Sequence, residues 1–144
     1  MMHMGSRYFS LKEAQDILPQ LKILVDEIIE KREKIYDLME KQEEEEKGRN
    51  DELEIMYMKT EINSLNKDIQ EMIELIESFG VYVKGLDPFL IDFPALNKNK
   101  PIFLCWEEGE ETIEYWHGIE EGYKGRKHIS LLADEHKEKN KENI

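Results

Sequence analysis

A chain of 144 residues with 33 acidic and 20 basic side chains, net −13, has the length of one domain and a field that repels phosphate backbones. The nearest basic patch, Lys124 to Lys127, is short and follows a run of glutamates, so no nucleic-acid partner is expected. A single cysteine, Cys105, excludes an internal disulfide, no apolar run is long enough to span a bilayer, and MMHMGSRYF lacks the apolar centre of a signal peptide; a soluble cytoplasmic protein with no membrane partner is expected.

Residues 1–9 read as a variable tail, and His3 to Ser6 are given no function. Ser10 followed by Glu13 is a capping box: the hydroxyl accepts from the backbone N–H at 13 while the carboxylate reaches back to the cap. An apolar series follows at alternating steps of three and four, from Leu11, Ala14, Leu18 and Leu21 to Val25, Ile28, Ile35 and Met39, broken only by Arg32. Pro19 is expected to kink this helix near residues 15–19 without ending it. A second stripe, Ile17, Leu24 and Leu38 with Ile29 and Tyr36 beside it, widens the apolar face beyond what one partner helix covers.

EEEEKGRND stops the helix: glutamates oppose its dipole, Gly48 can take the left-handed conformation, and Asn50 or Asp51 can cap the next helix. Ile55, Met58, Ile62, Leu65, Ile69, Met72, Ile76 and Phe79 then repeat at the same alternation before Gly80 ends it. A short turn between matching seams implies an antiparallel coiled-coil-like hairpin over 10–79.

Beyond Gly80 the apolar period becomes two. Val81–Val83, Phe89–Phe93, Ile102–Trp106 and Thr112–Trp116 have strand length and composition, and Asn97–Pro101 and Glu108–Glu110 are turn stretches. The expected architecture is α+β, one domain over 10–132: a long antiparallel two-helix hairpin packed on a small three- to four-stranded, mainly antiparallel sheet within 80–129, with a polar tail over 133–144.

Asp92, Glu107, Glu110, His117 and Arg126 form the polar set of this β-rich third, and they are expected to make one shared site or one structural network. His117 next to Asp92 would hold its ring in one tautomer, and Arg126 would pair with Asp92 or Glu107 and pin its loop. Cys105, between Leu104 and Trp106 in an apolar strand, reads as a buried inert thiol. Trp106 and Trp116 read as core, or as walls of a ligand pocket. No cofactor is expected; a divalent metal held by Asp92, Glu107 and His117 is the alternative, although no spacing matches a metal motif.

Four blocks, LIDFP (90–94), LCWEEGE (104–110), IEYWH (113–117) and GYKGR (122–126), closely resemble the signature blocks of the DUF2203 domain family, small prokaryotic proteins of unknown function. The resemblance extends from Tyr8-Phe9-Ser10 and the Leu18-Pro19 step to Arg126. It implies a fold and no activity. Residues matching its motifs include Asp92, Phe93, Pro94, Gly109, Glu110, His117, Gly122, Gly125 and Arg126, with Trp106 and Trp116. Gly85–Phe89 and Lys127-His128 depart from the pattern.

Two functions fit these readings. The first is a non-enzymatic interaction or scaffold protein whose hairpin pairs with a second copy or another helical partner, motivated by the surplus stripe. The second is a small-molecule or metal-dependent enzyme with its His, carboxylate and Arg groups on the β-rich part.

Overall fold

Helix α1 (Leu11–Lys47) starts at the capping box: the Ser10 N–H donates to Glu13 Oε1 at 2.9 Å and the Glu13 N–H to Ser10 Oγ at 3.0 Å. The computed structural model describes residues 7–133, so His3 to Ser6 and the polar tail beyond Ala133 lie outside the described residues. α1 runs through Pro19 as one element. The seam is buried from Ala14 to Ile35, Arg32 included, whereas Met39 is exposed. Helix α2 (Glu52–Glu77) follows after a turn in which Asn50, not Gly48, takes the left-handed conformation (φ 56°), and Asp51 Oδ1 accepts from the Leu53 and Glu54 N–H groups. Asparagine tolerates that conformation, which leaves the Gly48 N–H free to bond the Glu44 carbonyl and extend the helical pattern.

The sheet is an antiparallel meander of five strands in chain order: β1 (Tyr82–Leu86), β2 (Phe89–Asn97), β3 (Lys100–Glu107), β4 (Tyr115–Gly118) and β5 (Lys127–His128). Lys98 and Asn99 both have positive φ, as a two-residue hairpin turn between β2 and β3 requires. Pro94 is tolerated within β2 because β1 has ended by then; on that side the Phe9 N–H donates to the Pro94 carbonyl at 2.7 Å. The expected count of three to four strands misses β5, a two-residue strand that closes on Tyr115 and Trp116.

The strand expected at Thr112–Trp116 begins instead at Tyr115. Ile113 is held by a side chain: Gln15 Nε2 donates to its carbonyl at 3.0 Å, and its N–H donates to Gln15 Oε1 at 2.9 Å. One amide thus satisfies both backbone groups of a fully buried residue and substitutes for a ladder.

The chain divides into two compact units, one formed by Lys22–Leu75 and the other by the described residues up to Leu21 and from Ile76 onward. In the second, Phe9, Ala14, Leu18, Leu21, Ile76 and Val81 are buried, as are Phe89, Ile91, Phe93, Ala95, Leu104, Trp106 and Ile113. Phe9 meets Phe93 edge to face at 5.5 Å, so the fold is already engaged within the stretch read as a variable tail. In the hairpin unit Val25, Ile28, Ile35, Ile55, Leu65 and Ile69 are buried, and Lys31 lies 3.7 Å from Asp68. Ile17, Leu24, Ile29 and Leu38 of the second stripe are partly covered and Tyr36 is exposed.

Candidate functional site

Period-two alternation gives the sheet two faces. Phe93, Leu104, Trp106 and Trp116 share one through the pairings Phe93–Leu104 and Leu104–Trp116. Asp92, Cys105 and His117, each one residue away, share the other: Asp92 pairs with Cys105, and His117 pairs with Phe103 two residues back along β3. All three are almost fully buried.

His117 Nε2 lies 3.1 Å from both Asp92 carboxylate oxygens, and Nδ1 lies 2.8 Å from the Gly118 carbonyl. Both ring nitrogens face acceptors, so only the doubly protonated imidazolium satisfies both contacts. Burial opposes that charge, but the hydrogen bond to Asp92, the Cys105 side chain and the Gly118 carbonyl outweigh it and push the His117 pKa up to about 10. A second cation shares the carboxylate. Lys84 Nζ is 3.4 Å from Asp92 Oδ2 and sits over the Phe103 ring at 4.6 Å. Lys84 is the extra residue of a bulge, where β1 slips by one against β2 between Val83 and Gly85.

These side chains line a cavity of about 180 Å³ completed by Leu90, Ile119, Gly122 and Tyr123. Its charged lining is Lys84, His117 and Asp92, two cations to one anion. Trp106 and Trp116 do not line it; they lie on the opposite face, Trp106 donating from Nε1 to the Glu110 carbonyl at 2.9 Å and Trp116 lying under Lys127.

Glu107 and Glu110 belong to a separate cluster. Arg126 Nη1 donates to Glu107 Oε1 at 3.1 Å, and Nη2 to Glu110 Oε2 at 2.9 Å and to the Cys105 carbonyl at 3.3 Å. Tyr123 donates to the same Glu107 oxygen, and the guanidinium stacks over Tyr115 at 4.3 Å. Burial works against the Arg126 charge, but Cys105 and Glu110 offset it and its pKa is raised. This network pins the segment that walls the cavity. The two glycines of GYKGR serve it locally: Gly122 has φ 66°, and a Cβ at Gly125 would collide with the Glu121 side chain.

The polar set therefore separates into two groups, Asp92–His117 and Arg126–Glu107–Glu110, in which the histidine and the arginine each take a carboxylate expected of them from charge complementarity. Cys105 joins the first group in place of Glu107. Its ligand atom and those of Asp92 and His117 all lie within 4.8 Å of one another. Two residues of the site region carry no signal in the sequence: Lys84, whose strand is too short and too irregular for its face to be read from alternation, and Gln15, whose partner lies 98 residues away.

Among the described residues no helix is long and apolar enough to cross a membrane. No curated protein and no solved structure matches the chain. The model of one family, described as "Uncharacterized conserved protein (DUF2203)", matches residues 7–129, and the chain therefore belongs to the DUF2203 family.

Proposed function

We propose that the protein works by binding a small anionic molecule in the cavity over β2, β3 and β4. The observation that carries this reading is the convergence of Lys84 and His117 on the single carboxylate of Asp92 at the cavity wall, which leaves one positive charge in excess in a strongly acidic chain. Such a charge, set in a partly enclosed site, attracts an oxyanion far more strongly than the same charge in water. The volume, about 180 Å³, is below the roughly 300–1,000 Å³ of clefts that take drug-sized ligands, so the fit is to a small carboxylate or phosphate. With its pKa near 10, His117 at neutral pH is a charge anchor rather than a general base.

Thermal denaturation in chelator, with a panel of small carboxylates and phosphates at millimolar concentration, tests the reading. A ligand that raises the melting temperature of the wild type and not of Lys84→Gln is expected. A panel in which no anion shifts the wild type, or shifts both proteins equally, overturns it.

A second reading retains the hairpin as a surface for another copy of the chain. Its support is the exposure of Ile23, Tyr36, Met39, Leu53, Met56 and Tyr57 within the hairpin unit. Sedimentation at micromolar concentration would then show a dimer that Tyr57→Glu dissociates; a strict monomer removes this reading.

A further inference from the structure

We propose that Asp92, Cys105 and His117 form a binding site for a divalent metal ion of the zinc class, with a fourth coordination position open to the cavity. Nothing in this inference depends on anion binding.

The geometry supplies the first support. In a tetrahedral zinc site with bonds of about 2.0–2.3 Å, ligand atoms stand roughly 3.3–3.8 Å apart. The three donor atoms here already lie within 4.8 Å of one another, with Nε2 3.1 Å from the carboxylate, so rotation of side chains alone closes the set around an ion. Their backbones are fixed on three adjacent strands by two adjoining antiparallel ladders, the rigid support that a metal site needs.

The second support is the other side of the imidazole. Nδ1 is held against the Gly118 carbonyl at 2.8 Å, so a neutral ring keeps its proton there and presents the Nε2 lone pair toward Asp92 and Cys105. A carbonyl behind a ligating histidine is the usual way a protein fixes tautomer and ring orientation. Asp92 can likewise ligate through Oδ1 while Oδ2 keeps Lys84.

The donor set selects the ion. One sulfur, one imidazole nitrogen and one carboxylate oxygen match zinc and poorly suit calcium or magnesium, which prefer oxygen alone. Glu107, the carboxylate expected from the sequence, is held by Arg126 and Tyr123. Charge balance is kept: ligation through thiolate and neutral imidazole releases a proton from each to solvent as two positive charges enter. The excess positive charge that would hold an anion is thus the same with and without metal.

Cobalt(II) is the probe. Tag-free, chelator-treated protein in reductant that does not bind metal is titrated with cobalt under anaerobic conditions. A one-to-one complex with a near-ultraviolet sulfur-to-cobalt charge-transfer band and the strong visible bands of four-coordinate cobalt is expected, abolished by stoichiometric zinc. Cys105→Ser, checked for fold by circular dichroism, should lose the charge-transfer band and bind cobalt at least tenfold more weakly. Should that variant fail to fold, zinc-edge X-ray absorption of the wild type decides: one sulfur in the metal shell supports the site. A weak six-coordinate cobalt spectrum in the wild type, a shell of nitrogen and oxygen alone, or a charge-transfer band that survives Cys105→Ser overturns it. The anion panel, run in chelator, fails or succeeds independently.

Discussion

Phe93, Leu104 and Trp116 stand on one face of the sheet; Asp92, Cys105 and His117, each a single position away, stand on the other. Both faces are covered, and Leu104 and His117 are buried to nearly the same degree, so burial does not distinguish them. What differs is how the buried groups are satisfied. The first face needs only volume and apolar area, which any well-fitting hydrocarbon supplies. The second needs each charge to find a partner, and a buried carboxylate shared by an imidazolium and an ammonium has few equivalents. A protein can keep an apolar face for stability alone, whereas a polar face enclosing a cavity with surplus charge is where binding chemistry belongs.

Four substitutions sharpen this contrast. Phe93→Ala on the apolar face should have the largest effect, about 3–5 kcal/mol from lost burial and the void against Phe9, read by denaturant unfolding. A loss under about 1 kcal/mol would mean that this face is not the stabilising one.

Asp92→Asn should cost about 3 kcal/mol at pH 7, the low end for breaking a buried pair because the side-chain amide N–H can still donate to the Nε2 of a neutral ring. Its sharper signature is in pH. The folded pKa of His117, about 10, stands above its ordinary value of 6.5, so the stability contributed by the pair is fully present below pH 6.5 and is lost as pH rises through about 10. Nitrogen-15 spectra of wild-type imidazole should show both ring nitrogens protonated at pH 8, and Asp92→Asn should show a neutral ring. A neutral wild-type ring at that pH would contradict the imidazolium assignment.

Gln15→Ala removes two hydrogen bonds and strands both backbone groups of Ile113, for about 2 kcal/mol, with faster hydrogen exchange at Ile113 as the local readout. Ser10→Ala removes a cap that serves neither face and should cost about 1 kcal/mol by thermal melt, leaving the His117 spectrum unchanged.

Much of this architecture can be read from residues. The capping box and the seam from Ala14 to Ile35 rest on local periodicity and local hydrogen bonds and occur where the sequence puts them, while α2 ends at Glu77 and a turn over 78–80 closes on Gly80 at φ 94°. β5 escapes because two residues carry no period, and the start of β4 shifts because Ile113 answers to a side chain in α1. In the site, the Asp92–His117 and Arg126–Glu107 pairings follow from complementary charge. Cys105 reads as inert in the sequence because alternation tells that it faces away from Leu104 without telling what lies on either side. The tryptophans could serve as pocket walls only on the face of His117, and the Leu104–Trp116 pairing puts Trp116 on the other.

The order of the strands bears on how the chain assembles during synthesis. Each ladder joins neighbours in the sequence, so the meander can form as it leaves the ribosome, hairpin after hairpin. Phe9 and Gln15, by contrast, precede the whole sheet in the chain, and they gain their partners only when Pro94 and Ile113 have emerged. The pair of bonds between Gln15 and Ile113 therefore forms only after the chain has been extended by the 98 positions that separate them.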